Sequence, residues 1–224
     1  MFKLETDLSV KAEIKLYYDL LLPENFSGNA PLLIAVHGYG AHKRYMMREA
    51  QLVAPENFVV VSLQAPHQHW REAGGSYKIG FGWLTDYKSE DSVLLHHNFV
   101  LEVVEKLAEK QVIDTKKIYL LGFSQSCALN FRFAFTFPEI PRGIVGICGG
   151  IPSDLDENPV YQPTNADTFY LYSDDDEFYP LEKYEKSAQR LDEFLPNFQS
   201  KLYQAKHEIT DEMREDIKDW FKKH

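Results

Sequence analysis

Short apolar runs recur along this chain at 32–36, 58–63, 118–121, 144–147, 169–172 and 198–203, each bounded by Gly, Pro, Asn, Ser or Asp. Runs this short, apolar at successive positions, are the signature of strands buried on both faces. Between them, at about 44–54, 90–110, 125–136, 181–194 and 210–222, apolar residues return at helical spacing. The last stretch carries Met213, Ile217, Trp220 and Phe221 on one face. It has Thr210 as N-cap, Asp211 and Glu212 in the first turn, and Lys222 and Lys223 at the end, which matches the charge preference of a helix. A repeated strand–helix order of this kind folds as a mainly parallel central sheet with helices on both faces, and such sheets carry their ligand sites where strands exit at the carboxyl edge. Residues 11–22 differ: Ile14, Leu16 and Tyr18 alternate with Glu13, Lys15 and Tyr17, which predicts a half-buried strand near a sheet edge.

With 224 residues and 44% hydrophobic content, the chain can bury one sizeable core, so a single α/β domain over residues 1–224 is expected. No repeat, linker or low-complexity stretch interrupts it. A net charge of −10 with no basic stripe argues against nucleic acid as a partner. The longest apolar runs fall far short of the ~20 residues of a membrane span. Glu5 and Asp7 interrupt the start of the chain, where a signal peptide is uninterruptedly apolar, so a cytoplasmic protein is expected. The two cysteines, Cys127 and Cys148, sit among small apolar residues and read as buried free thiols. Oligomeric state is not set by the sequence, which is compatible with a dimer.

The strand at 118–121 runs into Gly122, Phe123, Ser124, Gln125 and Ser126, and a helix follows. A serine on such a strand-to-helix turn is held in a strained conformation with its hydroxyl above the sheet, and the positions two away must be small because strand and helix nearly touch there. An exposed nucleophilic serine needs a base and a group that orients the base, arriving in the order serine, acid, histidine at successive strand exits. Six of the eight histidines precede Ser124, and the remaining two are His207, between the last strand and a capped helix, and the terminal His224. His207 is therefore the candidate base. The strand at 169–172 exits into Asp174, Asp175, Asp176 and Glu177, any of whose aspartates could be the acid.

These motifs resemble those of the phospholipase/carboxylesterase family of α/β-hydrolases, which includes acyl-protein thioesterases and small bacterial carboxylesterases. The family's Gly-Phe-Ser-Gln-Gly elbow is matched by Gly122, Phe123, Ser124 and Gln125, with Ser126 replacing the second glycine. Its Asp four residues before a proline is matched by Asp176, Phe178, Tyr179 and Pro180, and its His-Glu-Ile segment by His207, Glu208 and Ile209. The resemblance spans nearly the whole chain and implies Asp176 as the acid. The family's His-Gly-x-Gly corresponds to His37, Gly38, Tyr39 and Gly40, although the Asp that commonly follows is replaced by Ala41 and His42. Two backbone N–H groups aimed at a developing oxyanion are worth about 3 kcal/mol each, and those of Tyr39 and Gln125 are the candidates. His37 reads as an orienting or core histidine.

What the resemblance implies is hydrolysis of carboxylic esters or thioesters through an acyl-enzyme, with a small-molecule acyl substrate and no cofactor. Lysophospholipase activity is the alternative enzyme reading, and a non-catalytic small-molecule-binding relative the alternative of another class. The long segment 66–89, between a strand and a helix and rich in His, Trp, Tyr and Gly, is expected to be a loop; loops of this length are usually functional, so its Trp70, Tyr77, Phe81 and Trp83 are expected to form an aromatic wall of the acyl or alcohol pocket. Gly38, Trp83, Phe81 and Trp70 are thus expected to line the substrate pocket. The pairs His67/His69 and His96/His97 have no accompanying Cys pair or HExxH motif, so no metal site is expected.

Overall fold

The computed structural model describes residues 2–224. In chain order the elements are β1 (Tyr18–Leu21), β2 (Ala30–Val36), α1 (Lys43–Val53), β3 (Val59–Leu63), β4 (His67–Ala73), β5 (Ser76–Gly82) and α2 (Ser89–Glu109). They continue with β6 (Ile113–Phe123), α3 (Gln125–Thr136), β7 (Pro141–Ile147), β8 (Asp167–Ser173), α4 (Leu181–Phe194), β9 (Phe198–Tyr203) and α5 (Asp211–Phe221). Seven strands form one sheet in the order β1-β3-β2-β6-β7-β8-β9. All neighbours are parallel except β1, which is antiparallel to β3 at the edge.

Pleating divides the apolar runs between two cores. Leu32, Ile34 and Val36 of β2 point to one face with Ile118 and Leu120 of β6, where α2, α3 and α4 cover them through residues such as Val100, Phe131 and Leu191. Leu33, Ala35, Tyr119 and Leu121 point to the other, covered by Met46 and Ala50 of α1 and by Met213, Ile217 and Trp220 of α5. Burial on both faces is why these strands do not alternate in sequence. The Thr210 side chain accepts from the Met213 N–H and caps α5.

Two segments depart from the sequence reading. The strand expected over 11–22 is confined to Tyr18–Leu21, because β1 finds partners only at Val60 to Leu63 of β3; residues before it have no strand to pair with among the described residues. The loop expected over 66–89 is instead a regular antiparallel hairpin, from His67↔Gly82 to Ala73↔Ser76. Its turn is Gly74-Gly75, with φ of 59° and 75°, the left-handed pair that two-residue hairpin turns require and that only glycine adopts freely. That dipeptide was the signal for it.

Candidate active site

Ser124 lies between β6 and α3 with φ 59° and ψ −120°, a region that costs a side-chain-bearing residue on the order of 1–3 kcal/mol. Its backbone is tied on both sides: its N–H donates to Ile147 O at 2.8 Å, and its carbonyl accepts from Cys127 N at 3.0 Å. The turn needs close contact between strand and helix, and a Cβ on Gly122 would come within 2.8 Å of Asn130 Nδ2. At Ser126 there is room for a hydroxymethyl group and a use for it. The fully buried Ser126 Oγ accepts from Phe123 N at 2.9 Å and lies 2.6 Å from Val36 O, to which it donates. The residue that departs from the family's glycine thereby ties the elbow to the end of β2.

Three strand exits converge on the Ser124 hydroxyl. His207, on the loop between β9 and α5, has Nε2 at 2.9 Å from Ser124 Oγ and Nδ1 at 2.7 Å from Asp176 Oδ2. Asp176, beyond β8, has a fully buried side chain. Its Oδ1 accepts from the N–H groups of Phe178 and Tyr179 at 2.8 and 2.9 Å, and its Oδ2 also accepts from the Tyr184 hydroxyl at 2.6 Å. Burial alone would raise its pKa, but the hydrogen bonds from Tyr184, His207 and the two backbone N–H groups outweigh that and hold it below the usual carboxylate value. An ionised Asp176 can only accept, so Nδ1 of His207 carries the proton and Nε2 is left to accept from the serine. The imidazole is wedged among Phe123 and Phe178, each with ring centroid 4.8 Å away, and Tyr179 at 6.0 Å. The neighbouring aspartates turn elsewhere: Asp174 Oδ1 accepts from Ala205 N at 3.1 Å, and Asp175 is exposed.

The loop after β2 and the start of α3 face each other across the serine. Neither Tyr39 N–H nor Gln125 N–H donates to an acceptor among the described residues. One buried network holds both segments. Gln125 Oε1 accepts from Trp83 N at 2.8 Å, and Trp83 Nε1 donates to His37 O at 2.8 Å. His37 Nδ1 donates to Gly38 O at 2.7 Å, while Nε2 accepts from Ala65 N at 3.1 Å. Burial pushes the pKa of His37 down to about 4, against the opposing effect of the Gly38 carbonyl bond, so it is a neutral strut between loops. The hairpin completes the clamp: Gly40 N donates to Phe81 O at 2.8 Å, and Tyr39 stacks on His69 with centroids 4.4 Å apart.

A cleft of about 430 Å³ surrounds the serine, lined by Gly38, Tyr39, Ala41, Phe123, Ser124, Gln125, Phe178, Tyr179, Lys183 and His207. Of the residues expected to line the pocket, the structure brings Gly38 there and leaves three elsewhere. Trp83 is buried beneath the site as part of the network above. Phe81 packs edge-on against His42. Trp70, 70% exposed, projects from the hairpin face opposite His69 because side chains alternate along a strand. The aromatic wall is formed instead by Tyr39, Phe123, Phe178 and Tyr179. Phe178 and Tyr179 were visible in the sequence only as motif neighbours of Asp176. Nothing in the sequence marked Tyr184, one helical turn into α4, as its hydrogen-bond donor.

The remaining candidate ligands are dispersed. His67 bonds Ser92 Oγ at 3.0 Å, and His96 and His97 are buried among Trp83, Phe133 and Phe137. Among the described residues no group of three or more His, Cys, Asp or Glu could hold a metal ion. Cys127 and Cys148 are free and buried, and burial raises Cys148 to about 12. No described helix is long and apolar enough to cross a membrane.

The sequence model of the phospholipase/carboxylesterase family matches residues 25–224. No curated protein matches the chain. Among solved structures, esterase PE8 superposes with a TM-score of 0.75 at 17% identity, covering 94% of this chain and 99% of that one. A carboxylesterase from Bacillus cereus superposes with a TM-score of 0.72 at 15% identity, covering 93% and 94%. Acyl-protein thioesterase 2 from Zea mays does so with a TM-score of 0.68 at 13% identity, covering 92% and 98%. At such identities these structures establish a shared fold.

Proposed function

The chain belongs to the phospholipase/carboxylesterase family of α/β-hydrolases, and from that membership we propose that it hydrolyses carboxylic esters or thioesters at Ser124, with His207 as base and Asp176 as its orienting acid. The observation that carries this reading is the unbroken hydrogen-bond chain Ser124 Oγ, His207 Nε2, His207 Nδ1, Asp176 Oδ2, at 2.9 and 2.7 Å. His207 Nε2 takes the serine proton as Oγ attacks the acyl carbon. The carbonyl oxygen becomes an anion, received by the N–H groups of Tyr39 and Gln125. The protonated imidazole then gives its proton to the departing alcohol or thiol, leaving an acyl-enzyme. Water, deprotonated by the same nitrogen, adds to the acyl carbon, and Ser124 departs with its proton restored. Asp176, held ionised by its four donors, stabilises the imidazolium in each half-reaction. The whole chain, residues 1–224, acts in this reading as one catalytic domain.

A cleft of about 430 Å³ walled by four aromatic side chains suits a short or medium acyl or alcohol portion. The test is hydrolysis of p-nitrophenyl esters from acetate to palmitate by the wild-type protein and Ser124→Ala. Turnover that disappears in the variant and peaks at short or medium chains is expected. An optimum at palmitate would favour the lysophospholipase alternative, and a protein that binds these esters without turnover and resists fluorophosphonate labelling would be a binding protein.

A further inference from the structure

We propose that Lys183 makes this cleft selective for esters that carry a carboxylate remote from the scissile carbonyl, such as half-esters of dicarboxylic acids or esters of hydroxy acids. The inference rests on the hydrolase reading above and adds the substrate class.

Among the described residues, Lys183 is the one ionisable cation lining the cleft apart from the imidazole of His207, and no Asp or Glu lines it. The acid closest to the chemistry, Asp176, is buried and consumed by its own donors. Glu177, beside it in sequence, accepts from the His207 backbone N–H. Lys183 itself makes no ion pair among the described residues. Lys186 on the same helix, by contrast, pairs with Glu182 at 2.7 Å.

Its placement is also electrostatically unforced. Lys183 lies in the first turn of α4, after the N-cap Pro180, where the partial positive charge of the helix end disfavours a cation. The ammonium is held over the Tyr179 ring, 5.2 Å from its centroid, and Tyr179 is nearly parallel to the His207 ring at 6.0 Å. The cation therefore stands on the same aromatic wall that flanks the base. A charge poised against its helix dipole and left without a counter-ion at the mouth of a cleft is stabilised when a ligand anion arrives. The flexible single-point charge of lysine suits a carboxylate at the end of a variable chain.

The test uses two matched pairs of esters. Monomethyl adipate against methyl hexanoate places the carboxylate on the acyl side, and 4-acetoxybutanoate against butyl acetate places it on the alcohol side. Both are followed by acid release at constant pH with the wild-type protein, Lys183→Met, Lys183→Arg and Lys183→Glu. The wild type is expected to prefer the anionic member of at least one pair. The ratio of anionic to neutral kcat/KM should fall about fivefold to tenfold in Lys183→Met, fall further in Lys183→Glu, and be largely kept in Lys183→Arg. Added salt should erode the preference in the wild type and not in Lys183→Met. A ratio unchanged by Lys183→Met, or a wild type that prefers the neutral member of both pairs, overturns the proposal while leaving the hydrolase reading intact. No turnover of any of the four esters, together with none of the p-nitrophenyl series, overturns both.

Discussion

The Tyr184 hydroxyl and the His207 Nδ1 share one oxygen of Asp176, lying 2.6 and 2.7 Å from Oδ2. Tyr184 is 1% exposed, so its hydroxyl has no water to turn to, and the carboxylate depends on it for ionisation and aim. Tyr184→Phe should lower kcat/KM about tenfold and cost about 1–2 kcal/mol of stability. The pKa of Asp176 is depressed in the folded state, so its contribution to stability is complete above the unfolded value near 4 and is lost as pH falls through the folded value. The phenylalanine variant moves the folded value back toward the unfolded one, so the part of the fall in urea midpoint that Asp176 causes below about pH 4 should be smaller than in the wild type.

Among the described residues, Asp176 is the one aspartate of the acidic run hydrogen-bonded to the His207 imidazole. Asp176→Asn should reduce kcat on p-nitrophenyl butyrate by about 10³–10⁴-fold, because an amide can present its N–H₂ and stabilise the wrong tautomer. Asp175→Asn and Asp174→Asn should stay within about threefold; an asparagine carbonyl at 174 can still accept from Ala205 N. A collapse in Asp175→Asn instead would reassign the acid.

Ser126→Ala tests the hydroxyl that joins the elbow to β2. The variant leaves Phe123 N–H and Val36 O without their buried partner, a loss of about 1–3 kcal/mol to be read from urea unfolding. Ser126→Gly should lose at least as much, since it adds backbone freedom to the unfolded chain.

Three buried histidines should make the fold less stable as the solution is acidified. Burial lowers His37 and His97 to about 4 and His96 to about 3. Their folded values lie below the unfolded value of about 6.5, so the unfolded chain binds more protons between the two. Stability is therefore full above pH 6.5 and declines as pH falls from there towards 4. Both ring nitrogens of His96 lack partners among the described residues, so His96→Leu should gain about 2 kcal/mol at pH 5 relative to pH 8, measured by urea unfolding at both values.

Much of this protein is local information, and that part is readable from the chain. Apolar runs at 32–36, 118–121 and 144–147 mark doubly buried strands because both faces of each are covered. Thr210 marks a helix start because its side chain bonds three residues away. Gly74-Gly75 marks a hairpin turn because its backbone angles suit glycine, a signal outweighed by the length and aromatic richness of the segment around it. The order of Ser124, an acid of the 174–177 run, and His207 along the chain is likewise a property of sequence.

What only the tertiary structure decided is which side chains meet. Ser124 and His207 are 83 positions apart, and their contact depends on the register of parallel strands β6, β7, β8 and β9, which brings their exits to one edge. The same packing selects Asp176 over its neighbours, recruits Tyr184 from α4, and sends Trp83 beneath the site while Phe178 and Tyr179 form its wall. None of these follows from periodicity or turn chemistry, because each is a long-range contact fixed by how helices seat on a twisted sheet.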